Sequence, residues 1–266
     1  MIIRIQGGLG NQLFQYAYGR KMELSGKKVI FDVSFFEGFK AKGDIARNFK
    51  LNNYNIETKA KFSNKNANSF CRRVLNKIMV RFIPKEDGFW QSEKYFKDIE
   101  NDIRKEFTLK NQLSIACLDW QKKIQTTENS VSLHIRRGDY VQDQKTNAFH
   151  GTCDMNYYQK ALEKVNKILQ NKNIEIFVFS DDIVWAKENL KFPYTTHFVS
   201  SPDIQDYEEL FLMSLCKHNI IANSTFSWWG AWLNQYQNKI VVGPKQWFAN
   251  KTTEELDILP PEWIKI

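Results

Sequence analysis

The chain has 266 residues, 42% apolar and 26% charged, as expected for a globular protein of one large or two modest domains. It has no run of about 18 apolar residues and no signal-peptide layout at its N-terminus, which argues against a membrane span and a secreted protein. The net charge of +8 favours an acidic partner such as a nucleotide, a nucleic acid or an anionic membrane.

Cysteine and histidine positions argue against a metal site built on these residues. The four cysteines show no paired spacing, which favours reduced thiols in the cytoplasm over a disulfide framework or a zinc site. The four histidines include no metal-binding pair at helical spacing. The residues concerned are Cys71, Cys117, Cys153, Cys216, His134, His150, His197 and His218.

The first 32 residues predict a strand at 2–5, a glycine loop at 7–12, a helix at 13–25 and a second strand at 28–32. This order is close to a dinucleotide-binding fingerprint, but the third glycine is missing. We interpret Gly8, Asn11 and Gln12 as a cradle for an anion or a sugar at a helix N-terminus. A tight turn without a ligand, or the dinucleotide site of an oxidoreductase, remain alternatives.

Residues 33–128 carry few motifs. The segment 59–85 contains basic but no acidic side chains. Within it, Arg73, Lys77, Arg81 and Lys85 recur every four residues. This spacing predicts a basic amphipathic helix, which would be a solvated face, a contact with an anionic membrane or, in a non-catalytic reading, a nucleic-acid surface. A further helix is predicted near 99–107. The strand that starts after residue 128 places a domain boundary there.

Strands and helices alternate regularly from Val131 onwards, which predicts a parallel sheet with crossover helices. The fold class is therefore α/β, with two Rossmann-like domains, 1–128 and 129–266, facing each other across a central cleft. Strands are expected at 131–135, 174–179, 195–199, 219–222 and 239–242, and helices at 156–170, up to 190, 206–215 and 228–235.

Three polar loops follow predicted strands of the second half and would open at one edge of the sheet. Arg136 and Arg137 suit a phosphate, since the planar guanidinium binds its oxygens in pairs. The loop 223–227 supplies hydroxyls at a helix N-terminus, which suits a diphosphate. Asp181 and Asp182 could take a metal, but an adjacent pair lacks the spaced acid-x-acid pattern of metal-dependent sugar transferases, and both could equally accept hydrogen bonds from a ribose or a guanine edge. Arginines in place of a metal at a diphosphate are the simplest joint account of these loops. Each feature also has a simpler alternative. Arg136 and Arg137 would be a surface pair held by Asp139, and the loop 223–227 would only cap its helix. Tryptophans 228, 229 and 232 are expected to pack in the core rather than to stack on a sugar.

Four segments, 7–16, 134–140, 179–182 and 212–233, resemble the motifs of the α1,2-fucosyltransferases of glycosyltransferase family 11, in the order found there. The resemblance implies a GT-B-like fold, GDP-fucose as the donor substrate, and inversion at the fucose carbon. It implies no cofactor and no required metal. The compact chain resembles a bacterial catalytic core, as used in O-antigen or lipopolysaccharide biosynthesis.

The resemblance also implies roles for particular side chains. Arg136 would hold the donor diphosphate and act in catalysis, with His134 and Arg137 shaping its loop. Asp181 or Asp182 would lie by the nucleoside, with Glu209 as a further candidate. The remaining donor-binding residues would be Gly8, Asn11 and Gln12 from the first domain and Ser224, Thr225, Phe226 and Ser227 from the second.

The base that activates the acceptor hydroxyl is expected to be Asp139, followed by His150, Asp143 and Asp154, although Asp139 would equally serve to support the arginines. The expected acceptor is the 2-hydroxyl of a terminal galactose in a free or lipid-linked glycan. We expect the domain 1–128 to be the acceptor side, with the acceptor loops within 35–128, and the domain 129–266 to bind GDP-fucose. Another GDP-sugar or another hydroxyl stays open. We expect a cytoplasmic enzyme with no nucleic-acid partner, in peripheral contact with the membrane, if at all, through residues 59–85.

Overall fold

The computed structural model describes residues 1–38, 47–63, 85–138, 153–170, 173–248, 251–252 and 257–266. These residues form two compact units, Met1–Asn111 and Gln112–Ile266. The boundary lies before the expected position at residue 128, because the helix Ile115–Thr126 packs on the helix Asp206–Leu215 and so belongs to the second unit.

The first unit is built on a parallel sheet with the strand order β3-β2-β1-β4. Its first strand therefore lies between the second and the fourth. The strands are β1 (Ile2–Arg4), β2 (Ile30–Asp32), β3 (Lys61–Ser63) and β4 (Lys85–Glu86), and the helices are α1 (Leu9–Leu24), α2 (Phe35–Gly38) and α3 (Glu100–Glu106).

Helix α1 begins earlier than the sequence predicts, so that Asn11 and Gln12 lie in its first turn rather than in a loop. Gly7 makes this short connection with a φ of +80°, a left-handed conformation that glycine adopts without steric cost. Gly19 lets α1 approach the sheet, because a Cβ there would lie 2.3 Å from the ring of Phe31. The start of the helix is thereby fixed directly beyond β1.

The prediction of a basic helix ending at Lys85 is wrong at that residue. Lys85 lies in β4 and pairs with Ile2 of β1, so it belongs to the sheet. At the other end of the basic segment, Lys61 lies in β3. Arg73, Lys77 and Arg81 lie outside the described residues.

The second unit contains a parallel sheet with the order β12-β9-β8-β5-β6-β7. Counted from β5, this is the 3-2-1-4-5-6 order of a dinucleotide-binding fold. Its strands are β5 (Ser130–Ile135), β6 (Glu175–Ser180), β7 (Thr195–Phe198), β8 (His218–Ile220), β9 (Val241–Gly243) and β12 (Ile264–Lys265), and β10 (Gln246–Phe248) pairs with β11 (Lys251–Thr252).

The helices of this unit are α4 (Ile115–Thr126), α5 (Met155–Ile168), α6 (Ile183–Asn189), α7 (Asp206–Leu215) and α8 (Thr225–Leu233). They cover a core formed mainly by β5, β6 and α5. Helices α7 and α8 pack closely at Gly230, where a Cβ would lie 2.8 Å from the Cβ of Met213. Every residue of β5 is buried, which makes the central strand a rigid base for the loop that follows it.

The tryptophans of α8 are core residues, as the simpler reading of the sequence predicted. Trp228 and Trp229 are fully buried and Trp232 is nearly so. The indole N–H of Trp228 donates to the carbonyl of Ile258 at 2.8 Å, which satisfies its polar group. None of the helices in the described ranges is both long and apolar enough to cross a bilayer.

Candidate functional site at the strand exits

The candidate site lies where the strand order of the second sheet reverses, between the exits of β5 and β8. Open α/β sheets bind ligands at this position, because the loops after the two strands diverge and leave a crevice. Arg136 follows β5, Asn223 follows β8, and Asp181 follows β6 beside them. Three of the predicted loops are therefore on neighbouring strands of one edge, as expected from parallel pairing.

Asp181 organises the arginine loop. Its carboxylate accepts the backbone N–H groups of Arg137 at 2.9 Å and Gly138 at 3.1 Å, and pairs with Nη1 of Arg136 at 2.8 Å. A Cβ on Gly138 would lie 2.7 Å from Oδ2 of Asp181, so a glycine is required for close approach. The φ of Gly138 is not in the left-handed region, so it is the contact with Asp181 and not the backbone conformation that calls for a glycine.

The two arginines are held in different ways. Arg136 is oriented by Asp181, and its side chain is 21% exposed. The guanidinium of Arg137 stacks on the indole of Trp185, 3.7 Å from the ring centre, and its Nε lies 3.8 Å from Oδ2 of Asp182. Stacking holds the guanidinium plane without using all of its N–H donors. Trp185 was missed in the sequence; its place in the first turn after Asp182 is the only signal for it.

His134 is a buried residue of β5 whose ring faces Phe226, with ring centres 5.6 Å apart. Burial lowers its pKa to about 4, so the imidazole is neutral near pH 7. The nearby Asp181 opposes this shift and Arg136 adds to it. Among the described residues, Nδ1 has no hydrogen-bond partner. A neutral ring fits the predicted role of His134 in shaping the loop.

The loop before α8 presents its hydroxyls at a helix N-terminus. Ser224 is the N-cap and accepts the N–H of Phe226 at 3.3 Å, and the hydroxyl of Ser227 donates back to the Ser224 carbonyl. The Asn223 amide donates to the carbonyl of Trp247 at 3.1 Å, and its oxygen lies 3.7 Å from the sulfur of Cys153. The loop is thus capped and anchored to the β10–β11 hairpin, while Thr225 and Phe226 remain partly exposed.

Two adjacent glutamates of α7 have different environments. Glu208 is buried in a capping box with Gln205 and also binds the N–H of Ser114 at 2.6 Å, so its role is structural. Glu209 is half-buried, and burial raises its pKa to about 7, against a hydrogen bond from Ser200 that lowers it. The charges of Asp206 and Asp181 raise it further. Glu209 therefore titrates near neutral pH at the edge of the candidate site.

The predicted residues of the first unit lie at the exit of β1. The amide of Gln12 is fully buried and binds the carbonyls of Gly7 and Asn48 and the N–H of Lys50. Both amide N–H groups of Gln12 are used by these bonds, so only its Oε1 has hydrogen-bonding capacity left for a contact with the donor substrate. Asn11 accepts a hydrogen bond from Gln91 at 2.9 Å, and Gly8 is the N-cap of α1.

Of the four candidates for the base, Asp154 lies within the described ranges. Asp139, Asp143 and His150 lie outside the described residues. Asp154 is the N-cap of α5 and accepts the N–H of Tyr157 at 2.7 Å, so its carboxylate has a structural role. In the ranges that the structure describes, Cys117, Cys153 and Cys216 are free thiols, and no three His, Cys, Asp or Glu side chains form a metal-binding group.

Comparison with known proteins gives consistent results. The family model described as Glycosyl transferase family 11 matches residues 40–266. The chain is 33% identical to the O-antigen biosynthesis glycosyltransferase WbnK of Escherichia coli, over 98% of this chain and 99% of that protein. It is 32% identical to an alpha-1,2-colitosyltransferase of Escherichia coli, over 100% and 98% of the two chains.

Similarity extends to mammalian proteins and to solved structures. The chain is 22% identical to the galactoside 2-alpha-L-fucosyltransferase Sec1 of Mus musculus, over 99% of this chain and 73% of that protein. The crystal structure of NodZ alpha-1,6-fucosyltransferase soaked with GDP-fucose has a TM-score of 0.51 at 14% identity, covering 87% of this chain and 91% of that one. This likeness and the two parallel sheets confirm the predicted GT-B-like α/β fold.

Proposed function

Because the chain belongs to glycosyltransferase family 11, we propose that it is an inverting transferase that moves L-fucose from GDP-fucose to the 2-hydroxyl of a terminal galactose. The proposal depends above all on the arginine loop that Asp181 fixes at the β5–β8 crevice. It is supported by a relative that is named a galactoside 2-alpha-L-fucosyltransferase and by a structural neighbour that was soaked with GDP-fucose.

The transfer is a single displacement in which GDP leaves. The bond between the fucose anomeric carbon and the β-phosphate oxygen breaks as the galactose oxygen attacks from the opposite face, and negative charge builds up on the phosphate. A positioned guanidinium stabilises this charge more in the transition state than in the ground state. Arg136, oriented by Asp181, would supply the charge, and Arg137, stacked on Trp185, would bind the other phosphate oxygens.

The N-terminus of α8 would complete the phosphate site. Its dipole and the hydroxyls of Ser224 and Thr225 favour an anion. With two arginines and this helix in place, the leaving diphosphate needs no divalent cation, which is the basis for proposing metal independence. The proton of the acceptor hydroxyl passes to a base, for which Asp139 remains our first candidate.

Colitose is a second candidate for the sugar that is transferred, since one relative is named an alpha-1,2-colitosyltransferase. Colitose is fucose without its 3-hydroxyl. A site that binds this hydroxyl with buried polar groups would reject GDP-colitose by a factor of about 10⁴ or more, whereas a site without them would accept both sugars.

The test is transfer by the purified protein from GDP-fucose, GDP-colitose, GDP-mannose and UDP-galactose to lactose, with EDTA or with manganese. We expect GDP-fucose to be the best donor, EDTA to have no effect, and 2′-deoxylactose to be inactive as an acceptor. A strong preference for GDP-colitose would show that colitose, and not fucose, is the sugar that is transferred. Turnover that is lost in EDTA and restored by manganese would contradict the charge assignment.

The proposed cellular setting follows from the relatives named for O-antigen biosynthesis. We place the reaction in the cytoplasm, on a free or lipid-linked glycan, with no nucleic-acid partner. Peripheral contact with the inner face of the membrane through residues 59–85 remains part of the proposal. Co-sedimentation with vesicles containing anionic lipid, compared with neutral vesicles, tests this contact.

A further inference from the structure

The first unit has a switch point of its own, between the exits of β1 and β4. Gln6 follows β1, and Asp87 follows β4. The buried amide of Gln15 links the two exits, because it accepts the N–H of Gln6 at 2.8 Å and donates to the carbonyl of Gly88 at 3.4 Å. Helix α1 therefore fixes the geometry of this crevice through Gln15.

The polar groups at these exits are paired with each other and accessible. Asp87 accepts from the Gln6 amide at 3.1 Å and pairs with Nη1 of Arg4 at 3.5 Å, and its side chain is 49% exposed. A carboxylate has about four acceptor positions, so these contacts leave some for a ligand. The charges of Arg4 and Asp87 cancel. The pair therefore offers both N–H donors and carboxylate acceptors, which suits a neutral ligand with several hydroxyls.

An aromatic surface lies next to these polar groups in the chain. Phe89 is 43% exposed. Trp90 has a φ of +45°, an unfavourable left-handed conformation for a bulky residue, and stacks on Tyr18 with ring centres 4.3 Å apart. Gly88 permits this, since a Cβ there would lie 3.1 Å from the indole. Such backbone strain persists only where surrounding contacts enforce it, and it is concentrated at functional sites.

We propose that Arg4, Gln6, Asp87 and Phe89 form a binding site for a neutral pyranose, and that this site holds the terminal galactose of the acceptor. The inference rests on the proposed function for the identity of the sugar. The hydroxyls at the edge of a pyranose match the carboxylate and amide, and its C–H face matches an exposed aromatic ring. A few convergent polar groups beside aromatic surface are typical of small-molecule sites.

The test measures binding of methyl β-D-galactopyranoside by saturation-transfer NMR, together with steady-state transfer to lactose. Asp87→Asn keeps the size of the side chain and removes its charge, and Phe89→Ala removes the aromatic face. We expect both variants to lose the galactoside signals and to raise the KM for lactose by about 10- to 100-fold, while the affinity for GDP measured by calorimetry stays the same.

The matched control is Asp98→Asn, which removes an exposed carboxylate of the same unit that pairs with Lys21. It should leave galactoside binding and transfer unchanged. Galactoside signals of wild-type strength in Asp87→Asn, or none in the wild-type protein, would overturn the site. A loss of GDP affinity in Asp87→Asn would also overturn it, since it would assign these exits to the nucleotide. Failure of the proposed function is distinct, because it would appear as no transfer by wild-type protein despite galactoside binding.

Discussion

The two units share a strand order around their first strand but differ in the charged side chains at their switch points and in how these side chains are held. In the second unit two arginines follow the first strand: the guanidinium of Arg136 lies 2.8 Å from Asp181, and that of Arg137 stacks on Trp185, 3.8 Å from Asp182. In the first unit Arg4, the last residue of the first strand, lies 3.5 Å from the carboxylate of Asp87. The sheet topology therefore supplies a crevice twice, and we propose that the arginine pair suits one to a diphosphate and the Arg4–Asp87 pair suits the other to a neutral sugar.

The loops at the two exits are also held by different kinds of contact. In the second unit, an exposed carboxylate, Asp181, accepts two backbone N–H groups of the arginine loop. In the first unit, a buried amide, Gln15, joins both strand exits. Asp181 therefore also orients the guanidinium of Arg136, whereas Gln15 contacts backbone groups. Four substitutions test this difference.

Arg136→Ala should have the largest effect. Removing one donor that stabilises the transition-state charge is expected to lower kcat by about 10²–10³, with an unchanged melting temperature. The measurement is transfer from GDP-fucose under saturating donor and acceptor. Arg136→Lys should restore only part of the rate, because an ammonium cannot bind two oxygens in parallel.

The control for this change is Arg104→Ala. Arg104 pairs with Glu100 at 2.8 Å, and the two side chains are 20% and 27% exposed, close to the values for Arg136 and Asp181. It lies on α3 of the first unit. Equal losses of activity in Arg104→Ala and Arg136→Ala would show that losing any such ion pair lowers the rate, and would remove the special role of Arg136.

Asp181→Asn should have the next largest effect. An asparagine offers one acceptor oxygen where the loop uses two, so Arg136 and the backbone of residues 137–138 lose their common support. We expect kcat/KM for the donor to fall about 10- to 100-fold, in the range of lost hydrogen bonds to a charged group. Gly138→Ala, which displaces the same carboxylate by contact, should have a similar effect. A normal rate in both variants would contradict the support of the arginine loop by Asp181.

Glu209→Gln tests the nucleoside side of the second unit through pH. The pKa of Glu209 is about 7, raised mainly by burial. If the ionised carboxylate accepts N–H groups of guanine, its protonation competes with the binding of GDP. Below pH 7 the affinity for GDP should therefore fall with pH, approaching a slope of about tenfold per pH unit. Calorimetry at pH 6, 7 and 8 should show this dependence in the wild type and a flatter one in the variant. Parallel curves would exclude Glu209 from the nucleoside site.

Gln15→Met should have the smallest effect on turnover. It leaves the N–H of Gln6 and the carbonyl of Gly88 without their side-chain partner and is expected to cost about 1–3 kcal/mol of unfolding free energy. Urea unfolding measures this cost, and Gln125→Met at an exposed position of α4 is the control. Equal unfolding midpoints for the two variants would mean that Gln15 does not hold the exits together.

Periodicity predicted most of the second unit, because each strand there is a short apolar run followed by polar residues. The helix Asp206–Leu215 was predicted with its observed bounds, and the three polar loops do lie at strand ends. The family resemblance also named the correct family, which removes the oxidoreductase alternative. The predicted contacts with the donor stay predictions.

What the sequence could not provide depends on contacts between distant residues. Nothing in the spacing shows that Asp181 reaches Gly138, 43 residues away, so its support of the arginine loop was missed. Lys85 fitted a helical repeat because a two-residue strand has no periodicity to detect. For the same reason the exit of β4, and with it Asp87, carried no signal.

A crystal structure of the complex with GDP tests the central contrast most directly. We expect the pyrophosphate at the exits of β5 and β8, with the guanidinium of Arg136 within about 3 Å of its oxygens. A pyrophosphate bound instead at the exits of β1 and β4, or an Arg136 side chain directed away from it, would contradict the assignment of the diphosphate to the second unit.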